Sequence, residues 1–193
     1  DLSAFYFDIR KDMLYCDALD NTSRRAALTM MDMCFRSLVS WIAPILCFTA
    51  DEAWLAYTGN NQDSIHLGEY QNIPLDWQNS DLTKKWTKVR AIRSDVTTAI
   101  ENARTDLKIG GSLQASVKLS LPEEEVMLLS GIDLPTLFIT SDAQIVDCNA
   151  SQIKVEINLA IGDKCERCWK ILPEVNTNEG LCQRCNEVVT AMV

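Results

Sequence analysis

Histidine is almost missing from this sequence: His66 is the only one in 193 residues. That leaves no room for a His-based triad with several partners, and a lone His is read as structural or merely exposed. Long apolar runs are missing too. The longest, around Trp41 to Phe48, is too short and too interrupted to cross a bilayer, so no membrane partner is expected. The chain opens Asp1-Leu2-Ser3, with neither a basic start nor an apolar run, so no secretory signal is read; without an initiator Met it is read as a fragment. Gly110-Gly111 lacks the flanking Lys and Ser or Thr of a phosphate loop and is read as a helix stop. No activated nucleophile, general-base constellation, internal repeat or low-complexity tract is visible. These absences leave the profile of a binding module.

Positive charge is also in short supply. Lys and Arg number 18 against 27 Asp and Glu, a net charge of −9. Phosphate attraction is the main source of affinity for nucleic acid, so the total argues against such a partner. The distribution argues the other way. Residues 81–108 carry seven basic side chains against four acidic, a balance of +3, whereas residues 109–163 carry two against eight, a balance of −6. A basic element in an acidic body can bind RNA locally while the rest of the surface limits non-specific association. The competing reading is a solvated helix face, the commoner fate of such a run.

Cysteine is what the sequence has in quantity, eight residues in two groups. Cys165-Glu166-Arg167-Cys168-Trp169 and Cys182-Gln183-Arg184-Cys185 form two Cys-x-x-Cys pairs separated by thirteen residues. A tetrahedral Zn²⁺ takes four soft donors at about 2.3 Å, and each knuckle turns the chain enough to aim two sulfurs at one point. Leu172-Pro173 and Asn178-Glu179-Gly180 are turn material, so residues 169–181 are expected to form a short ribbon returning to the metal. Two disulfides or two redox pairs are the competing readings. Four thiolates fill the coordination sphere, so the expected zinc is structural, one per chain, with no position open for substrate. Removing it is expected to unfold roughly the last thirty residues and leave the helices intact. Cys16, Cys34, Cys47 and Cys148 lie in apolar surroundings and are expected to be free, buried thiols, which points to a reducing compartment, the cytoplasm.

Length and a hydrophobic content of 47% suit a soluble globular chain with one large or two small domains. Helical spacing of Phe5, Ile9, Met13 and Cys16 predicts a helix over 3–17. Asn21, Thr22 and Ser23 supply the cap of a second, whose stripe runs Leu28, Met31, Phe35, Leu38 and Ile42 to a stop at Pro44. Thr49-Ala50-Asp51-Glu52 reads as a capping box opening a short helix that Gly59-Asn60-Asn61 ends. Residues 60–80 read as a loop, with a short extended piece at Ser64 to Leu67. Trp86, Val89, Ile92, Val96, Ile100 and Ala103 give the longest helix, Asp81 to about Asp106, which is also the basic one. Alternation then predicts strands over 113–121 and 153–159, with shorter apolar runs at Leu137-Phe138-Ile139 and Ala143 to Val146 read as strands too. Glu123-Glu124-Glu125 reads as a solvated helix start rather than a cation site, and Gly162-Asp163 as the turn into the knuckle.

If the partner is RNA, two sets of residues are the candidates. Lys84, Lys85, Lys88, Arg90 and Arg93 are placed to meet phosphates, which position without reading sequence. Arg167 and Trp169 flank a ligand cysteine. A Trp beside a rigid metal ribbon can stack on an unpaired base, and an Arg can grip phosphate or a base edge. The alternative for Trp169 is that it covers the metal site or caps a small core.

Four stretches belong together: Leu2-Ser3-Ala4-Phe5-Tyr6-Phe7-Asp8-Ile9 through Tyr15-Cys16; Arg24-Arg25-Ala26-Ala27 with Trp41-Ile42-Ala43-Pro44-Ile45-Leu46 and Phe48-Thr49-Ala50-Asp51-Glu52-Ala53-Trp54; Val89-Arg90 and Ala99-Ile100-Glu101-Asn102-Ala103-Arg104 with Lys108-Ile109-Gly110-Gly111-Ser112-Leu113-Gln114-Ala115; and the zinc segment from Lys164. In this order they resemble the bacterial isoleucyl-tRNA synthetases. The resemblance implies a mainly α fold with a small α+β part: a class I synthetase anticodon-binding helix bundle over 1–108, a short α+β junction over 109–161 and a four-cysteine zinc ribbon over 162–193. It implies the C-terminal part of an enzyme that charges tRNA-Ile with isoleucine using ATP and edits valine. Catalysis and ATP belong to a part not in this sequence, so no catalytic residue is expected here. The implied partners are the tRNA-Ile anticodon stem-loop and the rest of the synthetase chain, in a monomer. By the same resemblance Arg167 and Trp169 meet anticodon-loop nucleotides and the basic helix follows the stem. Two other readings compete. One is a zinc-ribbon interaction adaptor. The other is a DNA glycosylase fragment, which needs an amine nucleophile and an acid at its first residues, whereas this chain begins in a predicted helix.

Overall fold

A computed structural model describes residues 1–60, 62–106, 109–175 and 180–192. Lys108, Asn61, Asn178 and Glu179, named above, lie outside the described residues. The chain forms two compact units, one of Asp1–Ala18 with Ser80–Val193, the other of Leu19–Asn79.

The first unit begins with a wide helical turn, Leu2–Phe7, where Tyr6 N donates to Asp1 O five residues back at 3.2 Å. It runs on into α1, Asp8–Cys16. The second unit follows with α2, Thr22–Ile42, and α3, Cys47–Thr58. Asn21 caps α2 as its type predicts, its Oδ1 accepting from Arg24 N at 3.0 Å. Pro44 closes α2 in a tight turn, with Ile45 N donating to Ile42 O at 2.9 Å. The helix α3 starts two residues before Thr49, so the expected capping box lies inside it and makes no cap hydrogen bond. Asp51 serves elsewhere: its Oδ1 accepts from Ser64 Oγ at 2.7 Å and Ile65 N at 3.0 Å. That bond winds Ile65–Leu67 into a 3-10 turn in place of the expected extended piece. Gly59 ends α3 at φ +67, a conformation that costs glycine little. A small core of Val39, Ala43, Ala50 and Ile65 holds this unit, joined by Phe35, Ile42 and Trp54.

In the first unit α4, Ser80–Asp106, is the long basic helix expected. After it come β1, Ala115–Ser120, α5, Glu123–Leu129, and α6, Leu134–Phe138. Leu137-Phe138 is thus helix where strand was expected. Pro135 sits in the first turn of α6, where its fixed φ suits a helix, and Ile139 ends it at φ +57. The strands β2, Asp142–Asp147, and β3, Lys154–Leu159, complete a three-stranded sheet of order β2-β1-β3. The pair β1–β2 is parallel, with α5 and α6 in the crossover, and β1–β3 is antiparallel, Val117 opposite Ile157. Val89, Ile92, Val96 and Ile100 of α4 bury against Ala115, Val117, Leu119, Leu121, Leu129, Leu137 and Phe138. This shared core is why α4 belongs to the unit of the sheet, although sequence grouped it with α2 and α3. Two-residue strands β4, Asp163–Lys164, and β5, Ile171–Leu172, then pair across the first knuckle. The last element, α7, Gln183–Thr190, opens inside the second knuckle and was not expected.

Candidate metal centre and nucleic-acid interface

The first knuckle hangs between β4 and β5, and the second forms the first turn of α7. The hairpin is pinned at Gly162, φ +121, where an added Cβ would stand 2.3 Å from Leu172 C and O. Only glycine lets the strands approach so closely. Backbone bonds tighten both turns: Trp169 N donates to Cys165 O at 2.9 Å and Asn186 N to Cys182 O at 2.9 Å.

The four sulfurs of Cys165, Cys168, Cys182 and Cys185 lie within 4.8 Å of one another, and all four residues are buried. Cys168 Sγ and Cys182 Sγ are 3.8 Å apart. A regular tetrahedron of 2.3 Å bonds has edges of about 3.8 Å, so the donor set fits Zn²⁺. Burial pushes the Cys168 and Cys182 thiols up, and neighbouring sulfurs add to the push. Burial also opposes ionisation at Cys165, but backbone N–H bonds outweigh it and bring that thiol down to about 6. Zn²⁺ is the kind of charge that lets four thiolates share so small a space. These cysteines, with Cys16 and Val175, are the core of this end of the unit.

The other cysteines are free, but only Cys16 is buried; Cys34 is half-buried and Cys47 and Cys148 are exposed. The expectation of four buried thiols is corrected here. Cys47 sits at the start of α3 and Cys148 just beyond β2, where chain ends of elements face solvent. Burial, then Asp12 and Cys185, raise the Cys16 thiol to about 11.

Trp169 is 60% exposed and held at φ +66. A bulky residue in the left-handed region is a strained conformation that the surroundings must enforce. It belongs to none of the three buried clusters. Lys164 Nζ lies 5.4 Å from its ring centroid, so a cation accompanies the exposed ring. Beside it runs an apolar groove of about 390 Å³ between α1, α6 and the first knuckle, lined in part by Ile9, Tyr15, Pro135, Ile139 and Trp169. Ile139 and Trp169, which among the described residues are the non-glycine ones with positive φ, both line it.

Arg167 points elsewhere. Its Nη1 donates to Cys16 O at 2.5 Å and reaches Cys185 Sγ at 3.7 Å, and its Nη2 donates to Tyr15 O at 3.0 Å. Arg184, to which the spacing assigned no role, makes a two-pronged pair with Asp12 at 2.7 and 2.8 Å and reaches Asp17 at 3.0 Å. Burial would raise the Asp12 carboxyl, but Arg184 and then Lys170 hold it below its ordinary value.

The basic residues of α4 divide. Lys84 pairs with Asp81 at 3.3 Å, and both are open to solvent. Lys88 pairs with Glu124 on the surface, and Lys85 is half-buried. Arg90 meets Asp1 at 2.7 Å and lies over the Phe5 ring. Arg93 is drawn in: its Nε donates to Leu137 O at 2.9 Å, and Asp8 is 3.5 Å away. Arg90 and Arg93 therefore help to seat the chain's first turn, and Lys84 and Lys88 face water. Among the described residues no helix is long and apolar enough to cross a membrane.

Comparison with known proteins gives consistent findings. A family described as the anticodon-binding domain of tRNA ligase matches residues 1–119. A zinc finger found in FPG and IleRS matches residues 162–188. Among curated relatives, the isoleucine–tRNA ligase of Gluconobacter oxydans is 46% identical over 99% of this chain and 20% of its own length. That of Zymomonas mobilis is 41% identical over 98% of the chain and 20% of its own length. That of Neisseria meningitidis serogroup C is 40% identical over 98% and 21%. The chain thus spans about a fifth of the length of these relatives. The adaptor and glycosylase readings are not favoured: the zinc finger is shared with FPG, but the match over 1–119 is to tRNA ligases.

Proposed function

Because this chain belongs to the family of tRNA-ligase anticodon-binding domains, we propose that it is the anticodon-recognising part of an isoleucine–tRNA ligase and grips the anticodon stem-loop of tRNA-Ile. Charging, ATP use and editing are then the work of the rest of the parent chain. The curated relatives support this reading by name, and the four-sulfur centre supports a structural zinc. The observation that carries it is Trp169, an exposed indole held in a strained backbone on a metal knuckle, beside an apolar groove. Such a ring offers a stacking face for an unpaired base, and Lys164 stands ready for a phosphate. Lys84 and Lys88 are the α4 residues best placed to meet backbone phosphates, since solvent already reaches them. Arg167, bound to two main-chain carbonyls, is a poorer candidate for direct RNA contact than its place next to Trp169 suggests.

Binding of an anticodon stem-loop RNA to the 193-residue chain tests the proposal, with a scrambled hairpin as control. Affinity should fall as salt rises. Trp169→Ala should weaken binding roughly 5- to 150-fold, the equivalent of losing one stacked base at 1–3 kcal/mol. Equal affinity for cognate and scrambled hairpins would overturn the assignment, and an unchanged Trp169→Ala would remove the stacking role.

A further inference from the structure

The two knuckles share more than their ligands. In each, an arginine immediately precedes the second cysteine, Arg167 before Cys168 and Arg184 before Cys185. Both arginines turn to the same target, the end of α1, more than 150 residues away in sequence. Arg167 takes the main-chain carbonyls of Tyr15 and Cys16, and Arg184 takes the carboxylates of Asp12 and Asp17.

The end of α1 needs such partners. A helix leaves its last carbonyls without intrahelical donors, and a left-handed glycine commonly meets that need. Here Asp17 follows α1 in extended conformation, at φ −80 and ψ 158, and no glycine follows it. The negative end of the helix dipole, reinforced by Asp12 and Asp17, also faces four thiolates, whose charge a single Zn²⁺ only half neutralises. The two guanidiniums lie between these negative bodies, with Arg167 Nη1 at 3.7 Å from Cys185 Sγ and Arg184 Nη1 at 2.7 Å from Asp12. Lys170 adds a third cation at 3.8 Å from Asp12. Each arginine is aimed by its knuckle, so its direction depends on the geometry that four ligands and one ion impose.

We propose that Arg167 and Arg184 are positioning residues, a two-armed clamp that makes the last turn of α1 part of the metal centre. Metal bound between Cys165, Cys168, Cys182 and Cys185 then fixes the end of α1 and the groove wall facing Trp169. The clamp itself stands apart from the RNA reading; only its consequence for RNA affinity rests on that reading. It also alters the expected effect of chelation, since α1 should loosen together with the knuckles.

The test follows hydrogen exchange by mass spectrometry, zinc per chain and zinc-release rate on the full 193-residue chain. Chelation should raise exchange over residues 12–18 as well as 163–175, and leave 89–100 of α4 protected. Asp12→Asn removes a partner without touching either knuckle. It should keep one zinc per chain, loosen residues 12–18 and release zinc about tenfold faster, as loss of a charged hydrogen bond implies. Arg184→Lys keeps the charge without the fork and should lie between; it also provides the reading should Asp12→Asn fail to fold. Anticodon stem-loop affinity should drop in these variants, while Trp169→Ala lowers affinity with exchange and zinc release unchanged. Protection of residues 12–18 that ignores both chelation and these substitutions would overturn the clamp. Normal clamp behaviour with equal affinity for cognate and scrambled hairpins would instead count against the RNA reading alone.

Discussion

The sheet core and the knuckle core lie in the same compact unit but are held together by different chemistry. The first joins α4, β1, α5 and α6 through side chains such as Val89, Val117, Leu119 and Leu121, all fully buried. The second has the four clustered knuckle sulfurs among its six buried residues and only Val175 as a large aliphatic one. Apolar burial spreads its contribution over many contacts, so one truncation weakens the sheet core by a fraction. A metal held by those sulfurs would concentrate the knuckle's stability in one ion, so a small chemical change would remove all of it.

Chelation is the sharpest way to separate the two. Loss of structural zinc removes roughly 10–16 kcal/mol in zinc-finger peptides, more than the knuckle's own apolar contacts can supply. Circular dichroism and hydrogen exchange should show the knuckle opening and α4 with the sheet persisting. A single cooperative collapse of both would erase the distinction. Next comes Leu119→Ala, which should cost about 2–5 kcal/mol as a cavity in the sheet core. Urea unfolding reads the loss, and zinc per chain should stay at one. Gly162→Ala should act on the opposite side. Its φ of +121 and the 2.3 Å approach to Leu172 imply roughly 1–3 kcal/mol of strain, seen as faster zinc release with α4 exchange unchanged.

The smallest effect is expected from pH. Arg184 and Lys170 outweigh burial and keep the Asp12 carboxyl below its ordinary value in the folded chain. Its contribution is therefore present above the unfolded value and lost as pH falls through the lower folded one. Between about pH 5 and 8 the protection factors of residues 12–18, corrected for the intrinsic pH dependence of exchange and compared at constant zinc per chain, should stay flat, and wild type should lose protection there only below about pH 4. The Asp12→Asn variant should lack that acid-dependent step.

Much of the fold was legible because period and capping are local. The stripe Val89, Ile92, Val96 and Ile100 marked α4, and Asn21 marked the start of α2. Local signals misled where a neighbour decided. Thr49-Ala50-Asp51-Glu52 has the composition of a capping box, but Asp51 is taken by Ser64 and Ile65, and the helix begins earlier. Leu137-Phe138-Ile139 is apolar enough for a strand, but Pro135 and the left-handed Ile139 make it the end of a short helix. Cys47 and Cys148 have apolar neighbours in sequence and solvent around them in space.

At the metal centre the division is clear. The spacing of four cysteines was enough to foresee that their sulfurs gather at one point, because two-residue knuckles constrain them whatever surrounds them. The roles of the two arginines were not written in that spacing. An Arg beside a Trp on a knuckle reads as an RNA contact until the fold brings the end of α1 to it. Ligand geometry is a property of a few adjacent bonds and so belongs to sequence. The partner of a long cationic side chain depends on which distant carbonyls and carboxylates packing delivers, and only the tertiary structure decides that.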